Sequence, residues 1–220
     1  MRVDLFDFDL PDELIAQRPV QPRDTARLLD VAPDGLHDRT VRDLPALLRR
    51  GDLLVFNDTR VIPARLRGVR GGTAGRQDVA VEALLIRDLS GGRWLSFSRP
   101  TKRLRPGDGI AFTGFGATVE AKNEDGSIVL AFDTTGPRFL AALEEGGSVP
   151  LPPYIRGGVA DAQDRADYQT MFARYDGSVA APTAGLHFTP GLMASLADAG
   201  IATASLAVAS RVEKSAIASY

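Results

Sequence analysis

Apolar positions in this chain change their spacing twice. Over residues 1–50 they come in short bursts with proline and acidic starts, as in Asp9, Leu10, Pro11, Asp12, Glu13, Leu14 and again in Asp43, Leu44, Pro45, Ala46, Leu47, Leu48. Each burst reads as a short helix. Pro19 and Pro22 stop the first, and Gly51 ends the second. Leu53 to Phe56 is a buried-type strand, Asn57-Asp58 a turn, and Val61 to Leu66 a further strand. From Gly68 to about Val149, brief β-type runs alternate with glycine-bearing turns: Val79 to Ile86, Trp94 to Phe97, Gly109 to Phe112, Ala117 to Ala121 and Ile128 to Phe132. Their spacing predicts a small antiparallel barrel or sandwich. A helix over Pro137 to Glu145 and a rigid connector, VPLPPYIRGG, follow. From Asp161 helix and strand alternate again. Ser178 to Ala181 reads as a short strand and Pro182 to Phe188 as a strand-to-helix loop. A helix capped by Thr189 and Pro190 carries Leu192, Met193, Leu196 and Ala199 at helical spacing, and Gly200 closes it.

This pattern predicts an α/β protein: a discontinuous α/β domain with an inserted antiparallel β-barrel. The expected units are residues 1–67, 68–149 and 150–220, with hinges at Arg65–Arg70 and Val149–Ile155.

Composition narrows the chemistry. The 220 residues are 44% apolar and 25% charged, ordinary for a globular protein. No apolar run approaches a membrane span. The acidic, amphipathic start is neither a signal nor a transit peptide. Absence of cysteine excludes disulfides, thiolate metal sites and a cysteine nucleophile, and fits a cytoplasmic address. Two histidines make a histidine-rich metal site a poor expectation. A net charge of −2 requires any nucleic-acid contact to be a local basic patch. Lys102, Lys122 and Lys214 are the only lysines among 26 basic residues; arginine suits bidentate phosphate contact, and GC-rich coding explains the same bias. No phosphate loop, dinucleotide fingerprint or H-E-x-x-H zinc motif occurs.

Four polar clusters remain. GDLLVFNDTRVIPARL puts Asn57, Asp58, Thr59 and Arg60 at a strand end, where they either converge on a ligand or form a plain turn. RPTKRLRPGD offers Arg99, Lys102, Arg103 and Arg105 to a phosphate or carboxylate, or to solvent. In the proline connector Tyr154 is placed to stack on a base, or merely to sit in a linker. Finally, VAAPTAGLHFTPGL holds Pro182, Thr183, Gly185 and His187 just before a helix start. Such loops lie where ligands bind in open α/β sheets, and the helix start favours an anion. A tight turn with a packed histidine is the competing reading.

Taken in order, FDFDLPDELIAQRP, GDLLVFNDTRVIPARL, RPTKRLRPGD, VPLPPYIRG, DYQTMFA and VAAPTAGLHFT closely resemble the S-adenosylmethionine:tRNA ribosyltransferase-isomerases of queuosine biosynthesis, from about Phe6 to about Ile201. The resemblance implies transfer and isomerisation of the ribosyl part of S-adenosylmethionine onto 7-aminomethyl-7-deazaguanine at the tRNA wobble position. The product is epoxyqueuosine, with adenine and methionine released. It further implies an α/β domain with an inserted barrel, no metal or other cofactor (S-adenosylmethionine being a consumed substrate), no membrane, a monomer and the bacterial cytoplasm.

That chemistry needs a base for the ribose C5′ proton beside the sulfonium, and an imidazole is suited to it near neutral pH. His187 is the better candidate, because His37 lies in the polar stretch DGLHDRT. Asp58 would orient a base or the ribose hydroxyls. Arg60 or the helix start at Thr189 would hold the methionine carboxylate, and Arg99, Lys102 and Arg103 would meet tRNA phosphate. Tyr154, Asn57, Thr59, Pro182, Thr183 and Gly185 complete the expected substrate-binding set.

Chains of this family are longer and continue into a glycine-rich L-H-V-G-x-G-T-F segment, whereas this one reads IATASLAVASRVEKSAIASY. From about Ala207 onward no match is expected. The accompanying expectations are a strand from Ile201 that exposes unpaired backbone groups and an apolar face, a loop at His187 lacking its opposite wall, and no turnover by residues 1–220 alone. A non-catalytic RNA-binding module, with the barrel as reader, is the alternative function.

Overall fold

The computed structural model describes residues 2–72 and 75–207; the last thirteen residues, on which the expected mismatch mostly falls, lie outside them. At its centre is a closed barrel. Strands β5 (Arg65–Arg70), β6 (Val79–Asp88), β7 (Arg93–Arg99), β8 (Gly109–Phe112), β9 (Gly116–Lys122) and β10 (Ser127–Phe132) pair in the order β5-β6-β7-β10-β9-β8, and β8 returns to β5. Every pairing is antiparallel. Alternation supplies the interior: Val79, Val81, Ala83 and Leu85 of β6 are buried while their neighbours reach outward. Closure depends on Gly68, since a Cβ there would lie 2.4 Å from the Ala111 carbonyl oxygen across the β5–β8 seam. Helix α2 (Gly136–Gly146) inserts Phe139 and Leu143 into the barrel core, with the Phe139 ring 4.7 Å from that of Phe132.

Arg65–Arg70, expected as a hinge, is therefore barrel strand. Its first residues also pair with β11 (Gly147–Ser148), so two separate stretches of chain are held side by side where the barrel begins and ends. Val149–Ile155 does run as an irregular connector.

Around the barrel lie small α/β elements. β3 (Leu53–Asn57) pairs in parallel with β13 (Ala202–Leu206), and β4 (Thr59–Val61) with β12 (Tyr175–Ser178). The expected strand at Ser178–Ala181 thus lies a few residues upstream, because Tyr175–Ser178 has the partner strand. Helix α4 (Pro190–Asp198) begins as the sequence predicts: the Thr189 hydroxyl accepts the Leu192 N–H at 3.1 Å, and Gly200 adopts φ +78°. Its Leu192 and Leu196 are fully buried against Val41, Leu44, Leu48 and Leu54. β13 itself is exposed along its length.

Two early expectations change. The first helix is only a 3-10 turn, Asp12–Leu14, and the second shrinks to Val41–Asp43 plus α1 (Leu44–Leu47). Between them runs an unexpected hairpin, β1 (Arg27–Ala32) and β2 (Gly35–Thr40), turning at Pro33-Asp34. Pro-Asp-Gly is a turn sequence in its own right, and it carries this hairpin despite exposed flanking strands. Among the described residues no helix is long and apolar enough to cross a membrane.

Candidate functional site

A cavity of about 560 Å³ opens where four distant segments meet. One wall is Ala16 to Val20 with Arg23. Another is the proline connector with Tyr154. The floor comes from Asp164, Asp167 and Tyr168 of the segment carrying α3 (Asp164–Asp167), and the rim from Thr183, Leu186 and His187. These are four of the quoted motifs, and their mutual attachment is polar. Gln17 accepts the Arg156 N–H at 2.9 Å and donates to the Tyr154 carbonyl at 3.3 Å. Arg18 and Arg156 both grip Asp164, whose carboxylate is buried; the Arg18 contact is 3.0 Å, and the Asp161 N–H adds a third bond at 2.7 Å. Two arginines around one carboxylate satisfy its lone pairs, which burial demands.

Arg23 places the histidine loop. Its guanidinium donates to the carbonyls of Ala166, Asp167, Gln169 and Leu186 at 2.9–3.3 Å. The loop is a 3-10 turn, Thr183–His187, backed on its far side by Phe188 and Phe172, which pack on Phe56 at centroid distances of 4.8 and 4.0 Å. His187 is left exposed at the cavity rim. Among the described residues its ring makes no hydrogen bond, and residues 16–20 and Tyr154 line the same cavity.

Electrostatics follow from these contacts. The Arg18 guanidinium holds Asp161 well below the usual carboxylate range, at about 2. Burial pushes the Tyr168 phenol above its ordinary value. Asp24 is held low by the Thr189 hydroxyl at 2.7 Å and by Arg42 at 2.8 Å. Its carboxylate therefore already faces the start of α4, the place expected to receive an anion from a ligand.

Of the expected site residues, the cavity collects Tyr154, Thr183 and His187, with Pro182 and Gly185 in the same loop. It does not collect the NDTR cluster. Asn57 accepts both the N–H (2.9 Å) and the hydroxyl of Thr59, making a local bend between β3 and β4. Asp58 is buried there; its backbone bonds to Leu206 and Arg174, and its Oδ1 has no hydrogen-bond partner among the described residues. Arg60 points outward and pairs with Asp176 at 3.4 Å. Lys102 and Arg103 line a separate basic groove on the barrel, and Arg99 does not. Arg18, Arg23, Arg156, Asp164 and Tyr168 had no expected role. Arg18, Arg156 and Tyr168 do lie in the quoted AQRP, YIRG and DYQ stretches, whereas Arg23 and Asp164 lie in none of the quoted motifs.

Fold and site thus define a discontinuous α/β protein with an inserted six-stranded barrel, whose arginine- and aspartate-framed cavity carries the His187 imidazole at its rim. The sequence model of the queuosine biosynthesis protein family matches residues 3–213, and this chain belongs to that family. The match passes beyond Ile201 and Ala207, where the resemblance was expected to end. S-adenosylmethionine:tRNA ribosyltransferase-isomerase of Methylobacterium sp. (strain 4-46) is 59% identical over 220 residues, which cover 94% of this chain and 60% of the relative. The protein of that name from Phenylobacterium zucineum is 56% identical, covering 92% of this chain and 60% of its own length. The chain therefore spans about three fifths of the curated relatives it matches. A crystal structure of S-adenosylmethionine tRNA ribosyltransferase from Thermotoga maritima shares 30% identity over 91% of this chain and 56% of that one, at a TM-score of 0.35.

Proposed function

We propose that this chain binds S-adenosylmethionine in the 560 Å³ cavity and serves transfer and isomerisation of its ribosyl group onto 7-aminomethyl-7-deazaguanine in tRNA, giving epoxyqueuosine. One observation carries the reading: an imidazole with no hydrogen-bond partner among the described residues stands at the mouth of a pocket whose other walls are rigidly cross-linked by Gln17, Arg18, Arg23 and Arg156. A proton acceptor near neutral pH beside a pre-organised pocket is what removal of a C5′ proton requires. His187 takes that proton. Tyr154, 62% exposed on the opposing wall, offers a ring face to a base, and Thr183 a hydroxyl to the ribose. Pro182 and Gly185 shape the turn. Asp58 and its neighbours Asn57 and Thr59 act from behind, fixing the β3–β4 bend on which Phe56 supports the histidine loop. The wobble-position tRNA, a monomeric state, a cytoplasmic address and freedom from metals or other cofactors belong to the same reading.

The test is equilibrium binding of S-adenosylmethionine to residues 1–220. Saturable binding that Tyr154→Ala weakens about tenfold supports it. The alternative, a non-catalytic RNA-binding module, draws on the basic groove of the barrel and predicts RNA binding with no affinity for S-adenosylmethionine. Turnover is followed as adenine release, with tRNA present and with the polypeptide covering the remaining length of the Methylobacterium relative supplied or withheld.

A further inference from the structure

Arg70 is the last residue of β5 and faces the barrel interior, in register with Val79 and Ile110. It is 3% exposed. One of its guanidinium nitrogens reaches the Gly71 carbonyl at 3.2 Å, while Nε has no partner among the described residues. Among the described residues no carboxylate lies within 4 Å of it. A buried cation without a counter-charge is costly, and a protein interior normally supplies one. The nearby acid, Asp108, feels the Arg70 charge but takes its hydrogen bonds from elsewhere: Arg76 holds it at 2.5 and 3.0 Å, and the Arg105 N–H donates to it at 2.8 Å, so one carboxylate is shared between two arginines. Arg70 lies at the base of an open groove of about 450 Å³ also lined by Arg76, Lys102, Arg103 and Arg105. The side chains of Lys102, Arg103 and Arg105 likewise have no carboxylate partner among the described residues, and all three are exposed.

We propose that this groove is a phosphate subsite, in which an oxyanion supplies the charge missing beside Arg70 and is flanked by Lys102, Arg103 and Arg105. Arginine's planar fork and the lysine point charge are the donors such an anion takes. The chemistry is that of a phosphate oxygen, from free phosphate or from an RNA backbone. We assign the RNA backbone, which rests on the tRNA reading above: the exposed cations flank the buried one, as a chain of phosphates requires rather than a single ion.

The experiment uses residues 1–220 with Arg70→Met, Arg70→Lys and the double variant Lys102→Ala, Arg103→Ala. Thermal unfolding is followed against inorganic phosphate, with chloride at matched ionic strength as control. Binding of a short single-stranded RNA is followed against salt. The expected result is a phosphate-dependent rise in Tm that Arg70→Met abolishes. RNA binding should weaken at least tenfold in Arg70→Met, and the log–log salt slope should fall by about 0.7–0.9 for each lost contact. Arg70→Lys should retain part of both. Should Arg70→Met not fold, the double variant, confined to exposed residues, carries the same comparison. A phosphate response without RNA binding upholds the subsite and removes RNA as its occupant, and with it the tRNA reading. RNA binding with unchanged slope in every variant leaves the tRNA reading intact and overturns the subsite. So does a Tm indifferent to phosphate, in which case Arg70 is only a plug.

Discussion

Asp164→Ala should loosen the cavity more than any other single change to its frame. The Asp164 side chain is 5% exposed and accepts from Arg18, Arg156 and the Asp161 N–H. Hydrogen bonds to a charged group contribute about 1.5–3 kcal/mol each, and a donor left buried without a partner costs about 1–3 kcal/mol. Two such bonds would sum to roughly 3–6 kcal/mol if nothing relaxed, the N–H of exposed Asp161 passing to water. Relaxation is available: the Arg18 and Arg156 side chains are 35% and 27% exposed and can turn to water, which screens their loss. We expect about 3 kcal/mol, a large part of the stability of an ordinary domain. Asp164→Asn keeps the volume and an acceptor for the Asp161 N–H, so it should lose about half as much. Urea unfolding followed by circular dichroism measures both. The Gln17–Arg156 link between the two walls depends on the same arginine, so affinity for S-adenosylmethionine should fall along with stability. A loss below about 1 kcal/mol with the m-value unchanged would refute the reasoning, because these residues would then be an ordinary surface ion pair.

Gly68→Ala should destabilise the barrel by about 1–3 kcal/mol, since its Cβ meets backbone at the β5–β8 seam; hydrogen exchange should reveal faster opening of β8 than of β7. Asp161 has its pKa depressed to about 2 by Arg18, and that of Asp24 is depressed by Thr189 and Arg42. Such carboxylates contribute stability that is fully present above the unfolded value of about 3.9 and is lost as pH falls through the folded one. Urea midpoints should therefore drop between about pH 4 and pH 2, less steeply in Arg18→Ala. His187→Ala should leave S-adenosylmethionine affinity within about threefold and lower adenine release about 10²–10⁴-fold in the supplemented assay; near-normal turnover would return His187 to a packing role.

The barrel was legible because antiparallel strands with one buried face must alternate, and Val79 to Leu85 and Ile128 to Phe132 do. The first fifty residues were not, because β1 and β2 have little buried face to advertise: Leu29, Val31 and Leu36 are exposed. There the proline-acid pattern at Asp9–Leu14 looked like a helix start, but no apolar stripe follows it, so it stops after one turn. The site divides in the same way. His187 could be found locally, since a strand, a small-residue loop and a capped helix are written consecutively. Its frame could not. Arg18 and Asp164 are 146 residues apart, and nothing in either neighbourhood specifies the partner. The NDTR cluster looked richest in ligand chemistry, yet Asn57 turns its acceptor onto Thr59 two residues away. Polar residues close in sequence satisfy one another first, whereas groups brought together by folding, such as Gln17 with Arg156 or Arg23 with Leu186, can hold open a space between them. A cluster visible in one segment is thus a weaker guide to a pocket than several short arginine- or aspartate-bearing motifs scattered along a chain, each lacking a local partner. Arg70 extends that logic to the barrel, where a charge on an inward-facing strand position breaks the alternation that built the fold and, among the described residues, has no carboxylate partner.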